Sequence, residues 1–76
     1  MKELLEFIAK SLVEKPDEVE VTQTENDTSV VLSLKVADGD MGKVIGRQGK
    51  IARAVRTVVR AAAVNEKKKV IVDIVD

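Results

Sequence analysis

The sequence predicts an α+β domain in the order helix, strand, strand, helix, helix, strand. Three observations carry that reading. Leu4, Leu5, Ile8 and Leu12, with Ala9 beside them, recur at helical spacing near the start. Val19 and Val21, then Val30, Leu32, Leu34 and Val36, alternate with mostly polar neighbours in the manner of half-buried strands. The later segment Lys50 to Val64 returns to helical periodicity before the short apolar run Val70-Ile71-Val72-Asp73-Ile74-Val75.

Each element follows from local chemistry. Pro16 disfavours helical backbone at Lys15, so the first helix is expected to end there. Glu25-Asn26-Asp27-Thr28 is turn-prone and makes the two alternating runs a hairpin. Asp38-Gly39-Asp40 breaks the second strand, and Asp40 can accept hydrogen bonds from the first free N–H groups of a short helix over residues 41–45. In the long helix Ile51, Val55, Val58 and Ala62 form the expected inward face, with Lys50, Arg53, Arg56 and Arg60 largely outside it. Asn65 to Lys68 reads as a polar turn. If the last strand runs parallel to a hairpin strand, two helices form the crossover and a three-stranded mixed sheet results, with three helices packed on one face. Val30, Leu32, Leu34, Val70, Val72 and Ile74 are its expected inner layer.

Composition narrows the function. Residues 1–76 are short enough for one domain, whose core is marginal at this size. The chain has neither Cys nor His, which removes disulfides, thiolate metal sites and the commonest acid–base group, so no catalytic residue, metal site or cofactor is expected. No apolar run reaches the length of a membrane span, and the amphipathic start carries acids unlike a signal peptide, so a cytoplasmic protein is expected. Formal net charge is zero, yet it is strongly divided. Residues 1–40 carry four bases against ten acids, net −6, whereas residues 41–69 carry nine bases against one acid, net +8. A basic region on a neutral chain can select polyanions locally while the acidic remainder suppresses indiscriminate adhesion. Arg56 and Arg60 read equally well as part of that patch or as a solvated helix face.

The most informative octet is Val44-Ile45-Gly46-Arg47-Gln48-Gly49-Lys50-Ile51. Glycines on both sides of a two-residue step permit a sharp turn and close approach of another backbone. The following helix points its N-terminal amides and positive dipole end at the turn. A nucleotide-hydrolase P-loop is excluded, because it needs a glycine and a Ser or Thr where Val44 and Ile51 stand, and Gly42, Gly46 and Gly49 have the wrong spacing for a dinucleotide fingerprint.

The octet resembles the GXXG loop of KH domains, which clamps about four nucleotides of single-stranded RNA or DNA. The longer string Met41 to Ile51 is similar to the VIGxxGxxI core of that fold, with the isoleucine one residue early. The element order resembles the type II, prokaryotic, KH domain. The opening Met1-Lys2-Glu3-Leu4, Leu12-Val13, Pro16-Asp17, Ser29 to Leu32 and Met41 to Ala63 look like the KhpA (YlqC) family of small bacterial KH-domain RNA-binding proteins. The resemblance implies single-stranded RNA binding, a role as RNA chaperone or post-transcriptional regulator, involvement in cell shape in some bacteria, and pairing with a larger KH-containing RNA-binding protein of the KhpB kind.

On that reading the RNA-binding residues are Lys43, Ile45, Gly46, Arg47, Gln48, Gly49, Lys50, Ile51 and Arg53. The glycines permit close approach, Arg47 and Lys50 neutralise phosphates, and Gln48 adds an uncharged donor and acceptor. Ile45, Ile51 and the edge residues Val70 or Ile71 give an aliphatic groove floor, which suits a chain whose single aromatic residue is Phe7. A competing reading is a dimerising protein-interaction module with a KH fold and vestigial RNA binding. It rests on the small and apolar end of the long helix, where Val58, Val59, Ala62 and Ala63 form the expected dimer interface.

Overall fold

The sheet obeys the sequence pattern most strictly. Its central strand β2 (Ser29–Lys35) pairs antiparallel with β1 (Glu20–Glu25) and parallel with β3 (Lys69–Val75). This computed structural model describes residues 1–64 and 66–75. Asn65, the first residue of the expected polar turn, lies outside the described residues.

Along β2 every second side chain is buried, so Val30, Leu32 and Leu34 face the helices. The parallel register puts Val30 beside Val70 and Leu32 beside Val72, which extends the same apolar layer into β3. The crossover between these strands holds α2 (Met41–Ile45) and α3 (Lys50–Ala62), while α1 (Lys2–Leu12) precedes the sheet. Leu5 and Ala9 of α1, Val44 of α2 and Val55 and Val59 of α3 close one core with Val21, Val30, Leu32, Leu34, Val36, Val70 and Val72. The mixed sheet with three helices is the expected α+β architecture. The hairpin turn is held by Asn26, whose Oδ1 accepts the N–H groups of Thr28 and Ser29 at 2.8 and 2.7 Å.

Two expectations need correction. α1 stops at Leu12, three residues before the position Pro16 suggested, and Val13 is already extended. The N–H groups of Glu14 and Lys15 bond instead to the Asp40 carboxylate, so a distant anion takes the donors that a longer helix would have used. In α3 the buried residues are Ala52, Val55 and Val59, followed by Ala63 just past its end; Ile51 is partly buried and Val58 is 48% exposed. The segment is apolar on two adjoining faces, so periodicity alone admits both stripes. Small Ala52 and Ala63 bring the helix close to the sheet, and the Ile51–Val58 face rotates toward α1.

Candidate nucleic-acid interface

Asp40 ties the start of α2 to the end of α1. It is 2% exposed, and its carboxylate accepts hydrogen bonds from Glu14 N–H at 3.2 Å and Lys15 N–H at 3.0 Å. Lys43 Nζ lies 3.6 Å from the same carboxylate and 3.1 Å from Glu14 Oε1. Burial pushes the Asp40 carboxyl up, but the two amide donors and the Lys43 charge together hold it below its ordinary value. The expected cap on α2 is therefore not formed. No side chain caps α2, because the Asp40 carboxylate turns to the end of α1 and fastens α2 there. Lys43 is consumed in the same cluster. Its hydrogen bond with Glu14 raises its pKa against the opposing effect of burial, with further help from the charges of Glu14 and Asp40.

From this anchor the chain enters the glycine loop. Gly46 ends α2 at φ 75, ψ 174, and its N–H donates to Gly42 O at 2.9 Å. A Cβ on Gly46 would collide with Ile51, 2.8 Å from its Cβ and 2.9 Å from its backbone nitrogen, so glycine is required by both torsion and packing. Gly49 has φ 76 and open space where a Cβ would stand, so torsion alone demands glycine there. Gln48 between them is left-handed at φ 57, the sole non-glycine with positive φ among the described residues. A left-handed conformation costs an L-residue roughly 1–2 kcal/mol. Strain of this kind persists where the surroundings impose it and clusters at binding sites.

The loop and the first turn of α3 present a coherent surface. Arg47, Gln48, Lys50 and Arg53 are exposed, Ile45 is 37% exposed, and Ile51 is partly buried under Gly46. Among the described residues, no carboxylate lies within ion-pair distance of Arg47, Lys50 or Arg53. No side chain caps α3, which starts at the loop. Exposed cations, the positive end of a helix and the open space at Gly49 thus meet at one place, a setting suited to a polyanion's backbone.

Of the nine residues expected here, 45–51 and Arg53 are contiguous, whereas the Lys43 charge is already paired. The expected groove floor divides. Val70 is buried on the helix-facing side, but Ile71 follows the pleat to the other side of the sheet, half-buried and away from α3. Arg56 has a place the sequence left open. It is half-buried, and its Nε donates to Val72 O at 3.2 Å, so it lies on the α3–β3 seam. Its spacing from Arg53 and Arg60 was the available signal, since residues three and four apart share a helix face.

The four expected interface residues also separate. Val59 and Ala63 are 0% and 9% exposed within this chain's own core and have no surface to offer a partner. Val58 and Ala62 are exposed. Val58 lines an apolar groove of about 280 Å³ with Ile8, Leu12, Ile51, Ala54 and Val55. Among the described residues there is no acid, Cys or His group suited to hold a metal ion, and no described helix is long and apolar enough to cross a membrane.

The fold and its glycine loop define a KH domain of the helix-first arrangement. Comparison with known proteins agrees: the family model described as KhpA/KhpB, KH domain, matches residues 2–74. A protein of Clostridium acetobutylicum named RNA-binding protein KhpA is 61% identical over 75 residues, 99% of this chain and 100% of the relative. A Clostridium perfringens protein of the same name is 60% identical over the same shares. One from Halalkalibacterium halodurans is 49% identical over 76 residues, the whole of both chains. This chain belongs to the KhpA/KhpB KH-domain family. No solved structure matches it.

Proposed function

We propose that this chain binds single-stranded RNA through residues 45–51 and Arg53, as an RNA chaperone or post-transcriptional regulator in the cytoplasm. The supporting observation is the loop itself: Gly46, Gln48 and Gly49 all have positive φ and alternate with exposed Arg47 and Lys50 at the uncapped start of α3. The names carried by the relatives point to RNA as the ligand. In this reading the glycines admit the sugar–phosphate backbone, Arg47 and Lys50 neutralise phosphates, and Gln48 hydrogen-bonds without adding charge. Ile45 and Ile51 offer bases an apolar floor. The site positions a strand and moves no proton or group, so it performs no catalysis.

The double substitution Arg47→Asp with Gln48→Asp tests the assignment. Both side chains are exposed, so the melting temperature should stay near the parent value while affinity for a mixed single-stranded RNA pool is lost. A folded double variant that binds as tightly as the parent would remove the loop from the mechanism. With about three phosphates neutralised, log affinity should fall with log salt at a slope of roughly −2.

A second reading concerns assembly, and the apolar groove between α1 and α3 favours it, with Phe7 69% exposed on the outer surface of α1. A homodimer, or a heterodimer with a larger KH-containing RNA-binding protein of the KhpB kind, would cover this surface. Two linked weak sites bind a long strand more tightly than either alone. The groove shares Ile51 with the floor beside the glycine loop, while Arg47, Lys50 and Arg53 stand outside it, so a partner seated there would adjoin the RNA-binding cations without covering them.

A further inference from the structure

The five residues of α2 close little more than one turn, too short a helix to hold itself in water, and Val44 is the side chain it buries. One buried point would leave such a helix free to swing. The second point is Asp40, immediately before it, which among the described residues is the one polar or charged side chain that is buried. Its Oδ1 accepts the Glu14 N–H and its Oδ2 the Lys15 N–H, so both oxygens grip the chain just past α1. Its own N–H donates to Ala37 O at 2.8 Å, which ties its backbone to the chain leaving β2. Lys43, one turn on, closes the cluster from the solvent side between Glu14 and Asp40. α2 then runs directly into the loop, because the Gly46 N–H donates to Gly42 O in its last turn. By charge alone a carboxylate near a phosphate site weakens binding. Asp40 is buried too deeply to reach RNA, so whatever it does for the loop it does by holding α2.

We infer that Asp40 is a positioning residue for RNA binding: its clasp on the Glu14 and Lys15 amides sets the direction of α2 that presents Gly46 to Gly49 to the strand, and Lys43 serves this clasp instead of a phosphate. The inference rests on the RNA-binding reading above and deepens it. With the clasp open, α2 samples directions in which the loop no longer lines up with the start of α3. Apparent affinity then falls in proportion to the fraction of molecules that hold the loop in place. The phosphates neutralised in the bound state stay the same, because Arg47 and Lys50 are untouched, so the salt dependence does not change. Asparagine at position 40 keeps one acceptor oxygen but turns an NH2 group toward the second amide and Lys43, which opens half of the clasp at nearly constant shape. It also removes a negative charge. Simple electrostatics therefore predicts tighter RNA binding for Asp40→Asn, and the clasp predicts weaker binding.

The test titrates the parent, Asp40→Asn and Lys43→Met with a mixed pool of single-stranded tetranucleotide RNA at several salt concentrations, at a temperature where circular dichroism shows each variant folded. Asp40→Asn should bind about fivefold more weakly, as if one molecule in roughly five held the loop in place, with the parent's salt slope. In the RNA-free variant the Gly46 and Gly49 amide resonances should shift, a change that a loss of stability alone does not produce in the folded state. Lys43→Met should bind about twofold more weakly, again with the slope unchanged. If Asp40→Asn does not fold, Glu14→Gln takes its place, since that side chain is exposed and its loss frees Lys43 from the α1 side; it too should weaken binding although it removes an acid. A folded Asp40→Asn that binds as tightly as the parent, or more tightly, overturns the positioning role and leaves the loop reading standing. A slope shallower by about 0.7 in Lys43→Met puts that lysine on a phosphate and overturns its place in the clasp. A parent that binds no RNA removes the loop reading and the positioning role with it.

Discussion

On one flank of the buried face of α3 stand Arg53, Arg56 and Arg60, beside β3; on the other stand Ile51, Ala54 and Val58, beside Ile8 and Leu12 of α1. Both flanks belong to the same thirteen-residue helix and share the same buried stripe. They differ in what lies next to them. β3 is an edge strand whose outer side presents backbone polar groups, and the Arg56 bond to Val72 O shows how a cation satisfies one of them. The α1 side offers only aliphatic side chains, so a charge placed there would lose water and gain no partner. A neutral chain thereby separates a basic seam from an apolar groove by rotating about one helix.

The sharpest test of this division compares adjacent residues. Val59→Glu should unfold the protein: Val59 is fully buried, and an unpaired buried carboxylate costs several kcal/mol, comparable with the whole stability of a small domain. Val58→Glu should leave the melt within about 0.5 kcal/mol of the parent, as expected for an exposed position. It should also shift sedimentation toward monomer and weaken binding to long RNA more than to a tetranucleotide. If Val58→Glu and the parent sediment alike, alone and with KH-containing partners, the groove has no role in assembly. If Val59→Glu folds, the core assignment of α3 fails.

That neighbouring valines take opposite roles also shows where the sequence stopped being legible. The strands could be read because polar residues alternate with apolar ones and fix the inward side of β2. The glycine loop could be read because its residue types are demanded by backbone geometry, with positive φ at Gly46 and Gly49. α3 could not be oriented, since Val55, Val58, Val59, Ala61, Ala62 and Ala63 satisfy two adjacent stripes equally. Only the packing of α1 chooses between them. Asp40 was misread for a related reason: its sequence position suits a local cap, while its actual partners, Glu14 and Lys15, are brought to it by tertiary structure. Lys43 was placed among the RNA-binding residues without its pairing to Glu14 and Asp40 for want of the same information.

A smaller effect distinguishes the two glycines at the head of the basic seam. Gly46→Ala combines left-handed strain with a collision against Ile51, together roughly 2–5 kcal/mol of destabilisation. Gly49→Ala adds strain without collision, about 1–2 kcal/mol. Denaturant melts should rank the two variants in that order. RNA affinity should fall more for Gly46→Ala, because relief of the collision must displace Ile51 at the first turn of α3. Equal losses of stability would mean that Ile51 yields freely and the loop is less firmly set than its packing implies.

The smallest effect concerns the fastening of α2, from which the loop projects, to the end of α1 on the apolar side. Asp40 has a folded-state pKa below its ordinary value of 3.8, so the unfolded chain takes up the proton more readily than the folded one. The stability Asp40 contributes is therefore complete above pH 3.8 and disappears as the pH falls through its folded value. Lys43 has the opposite sign. Its folded pKa lies above 10.5, so its contribution is complete below that pH and is lost on further alkalinisation, although its partial exposure keeps it small. Denaturant melts from pH 2 to 6 should give a steeper loss of stability in the parent than in Asp40→Asn, which has no carboxylate to protonate. The curves should differ most above pH 3.8, where the parent's carboxylate is fully charged, and converge in acid. Parallel curves would show that other carboxylates carry the acid limb and that Asp40 holds α2 by shape alone, leaving the placement of the basic seam independent of charge at its anchor.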